Sequence, residues 1–143
     1  MSFNILIVDD SKAIRSVMRK IVTISGYQIN QCWEAGDGKE AIDILSQHRV
    51  DFIITDVNMP YLTGMALLDL VKKNETLKDI PVIMVTAAGS SQQREEALQR
   101  GASGFIQKPF LPEEIRQILH EVIGVDANGK YKEDQRTAAE CDF

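Results

Sequence analysis

Asp9, Asp10, Asp56, Thr86 and Lys108 are the residues of this sequence whose types and positions could do chemistry together. Each stands directly after a short run rich in apolar and β-branched residues: Asn4 to Val8 before the Asp9-Asp10 pair, Phe52 to Thr55 before Asp56, Val82 to Val85 before Thr86, and Phe105 to Gln107 before Lys108. Runs of this kind read as buried strands. Parallel strands of one α/β sheet send their carboxyl ends to a common edge, where ligand sites form, so all five groups belong together. Carboxylates about 4 Å apart repel by roughly 4 kcal/mol per pair at an effective dielectric of about 20, and three of them need protonation or a cation. Mg²⁺ suits such a pocket, because it prefers hard oxygens and commonly takes one or two carboxylates with water and phosphate oxygens. Asp9 and Asp10 fit that role. An ionised Asp56 beside the cation has the chemistry of a nucleophile toward phosphorus. Lys108 would bring a compact positive charge to one phosphoryl oxygen, and the Thr86 hydroxyl would donate a hydrogen bond to another.

Each residue alone has a plainer explanation. Asp10 would cap a helix, Asp56 would sit in a turn, and Lys108 would be a solvated surface charge. What favours a site is that five such residues fall at strand ends on one edge.

The elements that must position these groups alternate in type along the chain. Ile14, Val17, Met18, Ile21 and Val22, at three- and four-residue spacing, mark one face of a first helix. Gln28 to Cys32 reads as the second strand, and the Gly36-Asp37-Gly38 turn leads into a helix around Ile42 and Leu45. A loop from Asp56 to Gly64 carries Pro60 and precedes a helix containing Met65, Leu68 and Val71. Ser90 to Arg100 reads as a helix with only Ala97 and Leu98 to anchor it, capped by Gly101, and is expected to be the loosest. The last helix starts at Pro112 with Glu113 and Glu114 in its first turn and buries Ile115, Ile118, Leu119 and Val122. Strand and helix alternating five times imply a five-stranded parallel sheet with helices on both faces.

With 143 residues and 44% hydrophobic content the chain fits one core, at 1–124, followed by a polar tail at 125–143. A net charge of -5 argues against nucleic acid or anionic membrane as a bulk partner. The opening residues lack a basic segment and a long apolar run, so a cytoplasmic location is expected. The two cysteines, Cys32 and Cys141, show neither disulfide nor zinc spacing, and Cys32 reads as a small buried hydrophobe. His48 and His120 are expected at the surface of helices, away from the cluster. Gly36 and Gly38 read as a turn, since they lack phosphate-cradle spacing, and Ser90 and Ser91 read as caps.

The ordered motifs VDDS (8–11), EAGDGKEA (34–41), DVNMP (56–60), VTA (85–87) and KPF (108–110) resemble the receiver domains of bacterial two-component response regulators, most closely the stand-alone, CheY-like type. The resemblance spans about Phe3 to Gly124. It implies a flavodoxin-like fold of strand order 2-1-3-4-5 and a signalling switch, not a turnover enzyme. It also implies transfer of a phosphoryl group to Asp56 from a sensor histidine kinase or phosphotransfer protein, with Asp9, Asp10, Asp56 and the Asn58 backbone carbonyl around Mg²⁺. Thr86 and Phe105 would form the switch, a cis bond would precede Pro109, and the surface of the fourth helix and fifth strand would change its downstream partner. That target is open between a motor switch, an enzyme and a phosphorelay member, and no nucleic acid or membrane contact is implied.

Four features depart from the family pattern. Phe105 replaces a tyrosine, Asn58 and Ala88 occupy positions that tune phosphoryl lifetime, Leu111 replaces a capping hydroxyl before Pro112, and the tail, with Tyr131, has no counterpart and is open as a docking segment. Two other functions compete: a docking module read in its unphosphorylated form, and an enzyme such as an aspartate-nucleophile phosphohydrolase or an FMN binder. The phosphohydrolase expects DxD on one loop, and the FMN binder expects a hydroxyl-rich phosphate loop where this chain has DDSKA.

Overall fold

A computed structural model describes residues 2–59, 61–87, 89–108 and 111–123. Five strands and five helices alternate: β1 (Phe3–Val8), α1 (Lys12–Ile24), β2 (Ile29–Ala35), α2 (Gly38–Gln47), β3 (Phe52–Asp56), α3 (Gly64–Lys73), β4 (Val82–Thr86), α4 (Ser91–Gln99), β5 (Gly104–Gln107) and α5 (Pro112–Ile123). The strands form one parallel sheet in the order β2-β1-β3-β4-β5. The expected doubly wound architecture is therefore present. Expectations placed on Ala88, on a cis bond before Pro109, and on the tail from 125 to 143 fall outside the described residues.

Alternation along the strands divides the core in two. Leu6, Val8, Ile53, Val82 and Met84 face one side, where Ala41, Leu45, Leu67, Leu68 and Val71 of α2 and α3 and Ala97 of α4 cover them. Ile5, Ile7, Phe52, Ile54, Ile83, Val85 and Ile106 face the other, under Met18 and Val22 of α1 and Ile115 and Leu119 of α5. Central strands buried on both faces need continuous apolar runs, and that is why their sequences read so clearly.

Several boundaries differ from the sequence reading. β2 runs to Ala35 instead of stopping at Cys32, because it stays in register with β1 as far as Val8↔Ala35. Asp56 and Thr86 are the last residues of their strands, not the first of their loops. Val17 is half exposed, so the buried stripe of α1 is narrower than its spacing implied. Cys32 is half-buried against the α1 and α5 side of the core.

The helix starts are chemically explicit. Ser11, not Asp10, caps α1 by accepting from the Ile14 N–H. Asp37, Thr63 and Ser90 cap α2, α3 and α4 in the same way. At α5 the missing hydroxyl is offset from within the helix, since the Glu114 carboxylate accepts the Leu111 N–H at 3.0 Å. α4 buries only Ala97; Leu98, the other anchor expected from the sequence, is exposed, so the helix is held by even less apolar surface than its sequence implied. Its C-terminal end is nevertheless tied down, because Arg100 pairs with Asp69 of α3 at 2.7 Å and with Glu96 at 2.8 Å. Gly101 follows at φ +107, a conformation that favours glycine. Among the described residues, no helix is long and apolar enough to cross a membrane.

Candidate functional site

β1 and β3 lie side by side at the centre of the sheet, and their carboxyl ends deliver Asp9 and Asp56 to the same edge. Asp10 follows in the turn before α1. The three carboxylates offer oxygens that all lie within 4.8 Å of one another, with Asp9 and Asp56 buried and Asp10 exposed. Lys108, just past the end of β5, reaches across the edge. Its Nζ lies 2.9 Å from Asp9 Oδ2 and 3.7 Å from Asp56 Oδ1. Its backbone N–H donates to the Thr86 carbonyl at 2.7 Å, so β4 fixes the point from which the lysine extends. The three aspartates and Lys108 are thus brought together, with Thr86 at the end of β4 on the same edge.

Every polar group of Asp9 is engaged. Its N–H donates to the Ala35 carbonyl at 3.1 Å, its Oδ1 accepts the Ser11 N–H at 2.9 Å, its Oδ2 takes Lys108, and its carbonyl accepts from Arg15 Nη1 at 2.6 Å. Among the described residues, no hydrogen bond or ion pair holds the Asp10 carboxylate. Buried Asp9 is thus a fixed anchor, whereas Asp10 presents an uncommitted oxygen donor.

Burial pushes the Asp56 carboxyl above the usual carboxylate range. Lys108 and backbone hydrogen bonds from Asn58 and Val57 pull it down, the Asp9 charge pushes it further up, and burial prevails. A hard divalent cation suits this donor set, and its charge would offset both the burial and the repulsion.

Thr86 and Phe105 are neighbours at the adjoining end of the sheet. A Cβ placed on Gly89 would lie 2.9 Å from both the Thr86 methyl and the Phe105 ring, so the two side chains border the same small space. Thr86 is buried and Phe105 half-buried. His48, at the C-terminal end of α2, stacks on Trp33 with ring centroids 4.0 Å apart. His120 is half-buried on α5, less superficial than its spacing implied.

Two residues that support the site escaped the sequence reading. Gly64 opens α3 where the chain doubles back over the end of β3, and a Cβ there would overlap the Asp56 carbonyl oxygen. Arg15 stands six positions after Asp9, bound to its carbonyl. A glycine at a helix start and a basic residue in the first turns after an aspartate pair were the available signals.

Residues 5–120 match the response regulator receiver domain family. The chain is 40% identical over 124 residues to the chemotaxis protein CheY of Pseudomonas aeruginosa, covering 84% of this chain and 98% of that protein. The solved chemotaxis response regulator CheY4 of Vibrio cholerae superposes with a TM-score of 0.74 at 34% identity, covering 85% of this chain and 99% of that one. The receiver domain of the Pseudomonas aeruginosa sensor histidine kinase PA1611, solved with a magnesium ion coordinated in its active site cleft, gives a TM-score of 0.74 at 28% identity, covering 87% and 99%. Receiver domains bind Mg²⁺ at an acidic pocket and work with histidine kinases and downstream targets as phosphorylation-controlled signalling switches. Fold, strand-end carboxylates and sequence agree, and the chain belongs to the response regulator receiver domain family.

Proposed function

We propose that the receiver, over residues 1–124, takes a phosphoryl group onto Asp56 from a histidine kinase or phosphotransfer protein, and that this changes its affinity for a downstream protein target. The observation that carries the reading is Lys108 Nζ bridging Asp9 and Asp56, at 2.9 and 3.7 Å, beside a third carboxylate. An oxygen of the ionised Asp56 carboxylate forms the new bond to phosphorus. The phosphorus–nitrogen bond of the donor phosphohistidine breaks, and its electron pair returns to the imidazole nitrogen. The Lys108 ammonium follows the charge from the Asp56 carboxylate to a phosphoryl oxygen. The Thr86 hydroxyl donates to a second phosphoryl oxygen, drawing its side chain toward Asp56 and freeing the space that Phe105 borders. Asp9, Asp10, Asp56 and the Asn58 carbonyl would hold Mg²⁺, which supplies charge neutralisation and alignment of the phosphoryl oxygens.

α4 suits the output. Its buried surface is slight, and its tether to Asp69 lies at the end remote from Thr86, so the end near the switch can shift at low cost. The test is intact mass after incubation with Mg²⁺ and a small acyl phosphate. Wild type should gain one base-labile phosphoryl group and Asp56→Asn none. Equal gain in both proteins would place the acceptor elsewhere and overturn the assignment.

A further inference from the structure

Asp10 is the exposed member of the acidic cluster, and its carboxylate has no partner among the described residues, so its direction is set through its own backbone. The peptide linking Asp9 to Asp10 is therefore decisive. Its carbonyl oxygen accepts from Arg15 Nη1 at 2.6 Å, and this is a short, charge-assisted hydrogen bond. Arg15 is in turn held: its Nε donates to Glu34 Oε1 at 3.1 Å, while the other Glu34 oxygen accepts from Arg19 Nη1 at 3.1 Å. Arg15 is 15% exposed against 54% for Arg19, so the inner arginine is the one locked in place. Glu34 lies near the end of β2, opposite Ile7 of β1, which connects this bracket rigidly to the sheet.

We propose that Arg15, braced by Glu34, is a positioning residue for the cation site: it fixes the Asp9–Asp10 peptide so that Asp10 offers its carboxylate beside Asp56. This rests on the acidic cluster being the Mg²⁺ site. The geometry separates positioning from electrostatics by sign. A positive charge beside a cation site repels the cation, so on charge alone removing Arg15 tightens Mg²⁺ binding. If the guanidinium orients a ligand, removing it weakens binding instead.

Isothermal titration of the full chain with Mg²⁺ tests this for wild type, Arg15→Met, Arg15→Lys and Glu34→Gln, with thermal melts as the folding control. Arg15→Met should bind about tenfold more weakly, at the low end of what losing an outer-shell partner costs a metal site. Arg15→Lys, with its charge kept and its fork lost, should also weaken, and Glu34→Gln should fall between it and wild type. Phosphorylation by an acyl phosphate should need more Mg²⁺ for half-maximal rate yet approach the wild-type rate at saturation. Equal or tighter binding by a folded Arg15→Met overturns the proposal. Should Arg15→Met not melt cooperatively, Arg15→Lys, which keeps the charge, decides it, and unchanged affinity there overturns it. Wild type that binds no Mg²⁺ overturns both this proposal and the cation reading; wild type that binds, with variants that match it, overturns this one alone.

Discussion

Asp56→Asn should stabilise the fold in the absence of divalent cations, although it removes the proposed phosphoryl acceptor. Lys108 at 3.7 Å attracts the Asp56 carboxylate and the Asp9 carboxylate within 4.8 Å repels it, each by about 4 kcal/mol at an effective dielectric of about 20. These two nearly cancel. What remains is lost hydration, the main reason the Asp56 carboxyl is held above its usual range, only partly offset by the backbone hydrogen bonds from Asn58 and Val57. An uncharged isostere escapes that cost, and we expect a gain of about 1–2 kcal/mol at pH 7, the low end for uncompensated burial of a polar group. For a chain of this size that is roughly 4–8 °C in Tm. The pH dependence has a definite sign. Because the folded-state value is raised, ionisation of Asp56 costs stability, in full above the folded-state value and not at all below the unfolded one. The advantage of Asp56→Asn should therefore be complete at neutral pH and shrink to nothing as acid protonates the carboxyl in both states. Saturating Mg²⁺ at about 100 times its dissociation constant adds about 2.7 kcal/mol to whichever protein binds it, so wild type should overtake the variant. Urea titrations in EDTA and in Mg²⁺, from pH 3.5 to about 8 across the ordinary carboxylate range, read all of this. An Asp56→Asn protein less stable than wild type in EDTA at pH 7, or an advantage that grows with acid, would refute the reasoning.

Gly64→Ala should cost about 3 kcal/mol or more, since the atoms its Cβ would overlap are backbone and cannot swing aside. A urea midpoint within error of wild type would contradict that. Tyr61 is 93% exposed at φ +68, so Tyr61→Gly should relieve about 1 kcal/mol of backbone strain, offset in part by the greater freedom of glycine in the unfolded chain; a midpoint lower by more than about 1 kcal/mol would show that its side chain has stabilising contacts. Arg100→Ala should lower global stability by less than about 1 kcal/mol, because its ion pairs are partly solvated. Hydrogen exchange should nonetheless quicken through α4, whose single buried residue leaves little else to retain it; unchanged exchange would show that the tether is idle.

The central strands were legible because burial on both faces demands uninterrupted apolar residues, and Phe52 to Thr55 and Val82 to Val85 meet that demand. The site was legible for a related reason: polar residues abruptly ending such runs have to lie at the sheet edge. β2 was less so, because an edge strand tolerates Trp33 and Glu34, and only its register with β1 extends it to Ala35. Arg15 was only faintly marked, by a basic residue in the first turns after the aspartate pair, since its role depends on a backbone carbonyl, which leaves no mark in the sequence of its partner. The back-capping of α5 by Glu114 was obscured in the same way: the absence of a hydroxyl at Leu111 was plain, whereas the carboxylate that replaces it lay a turn ahead.

The ion pair between Lys108 and Asp9 joins residues 99 positions apart, at opposite ends of the domain's sequence. β5, which brings the lysine, has four residues and pairs only with β4. A nascent chain can form the first four strands and gather all three aspartates while still lacking their counter-charge. The same state recurs whenever the short margin of the finished sheet opens and the lysine leaves with it. If phosphoryl acceptance needs Lys108, as proposed, competence arrives only once β5 has joined the sheet and is lost whenever β5 leaves it.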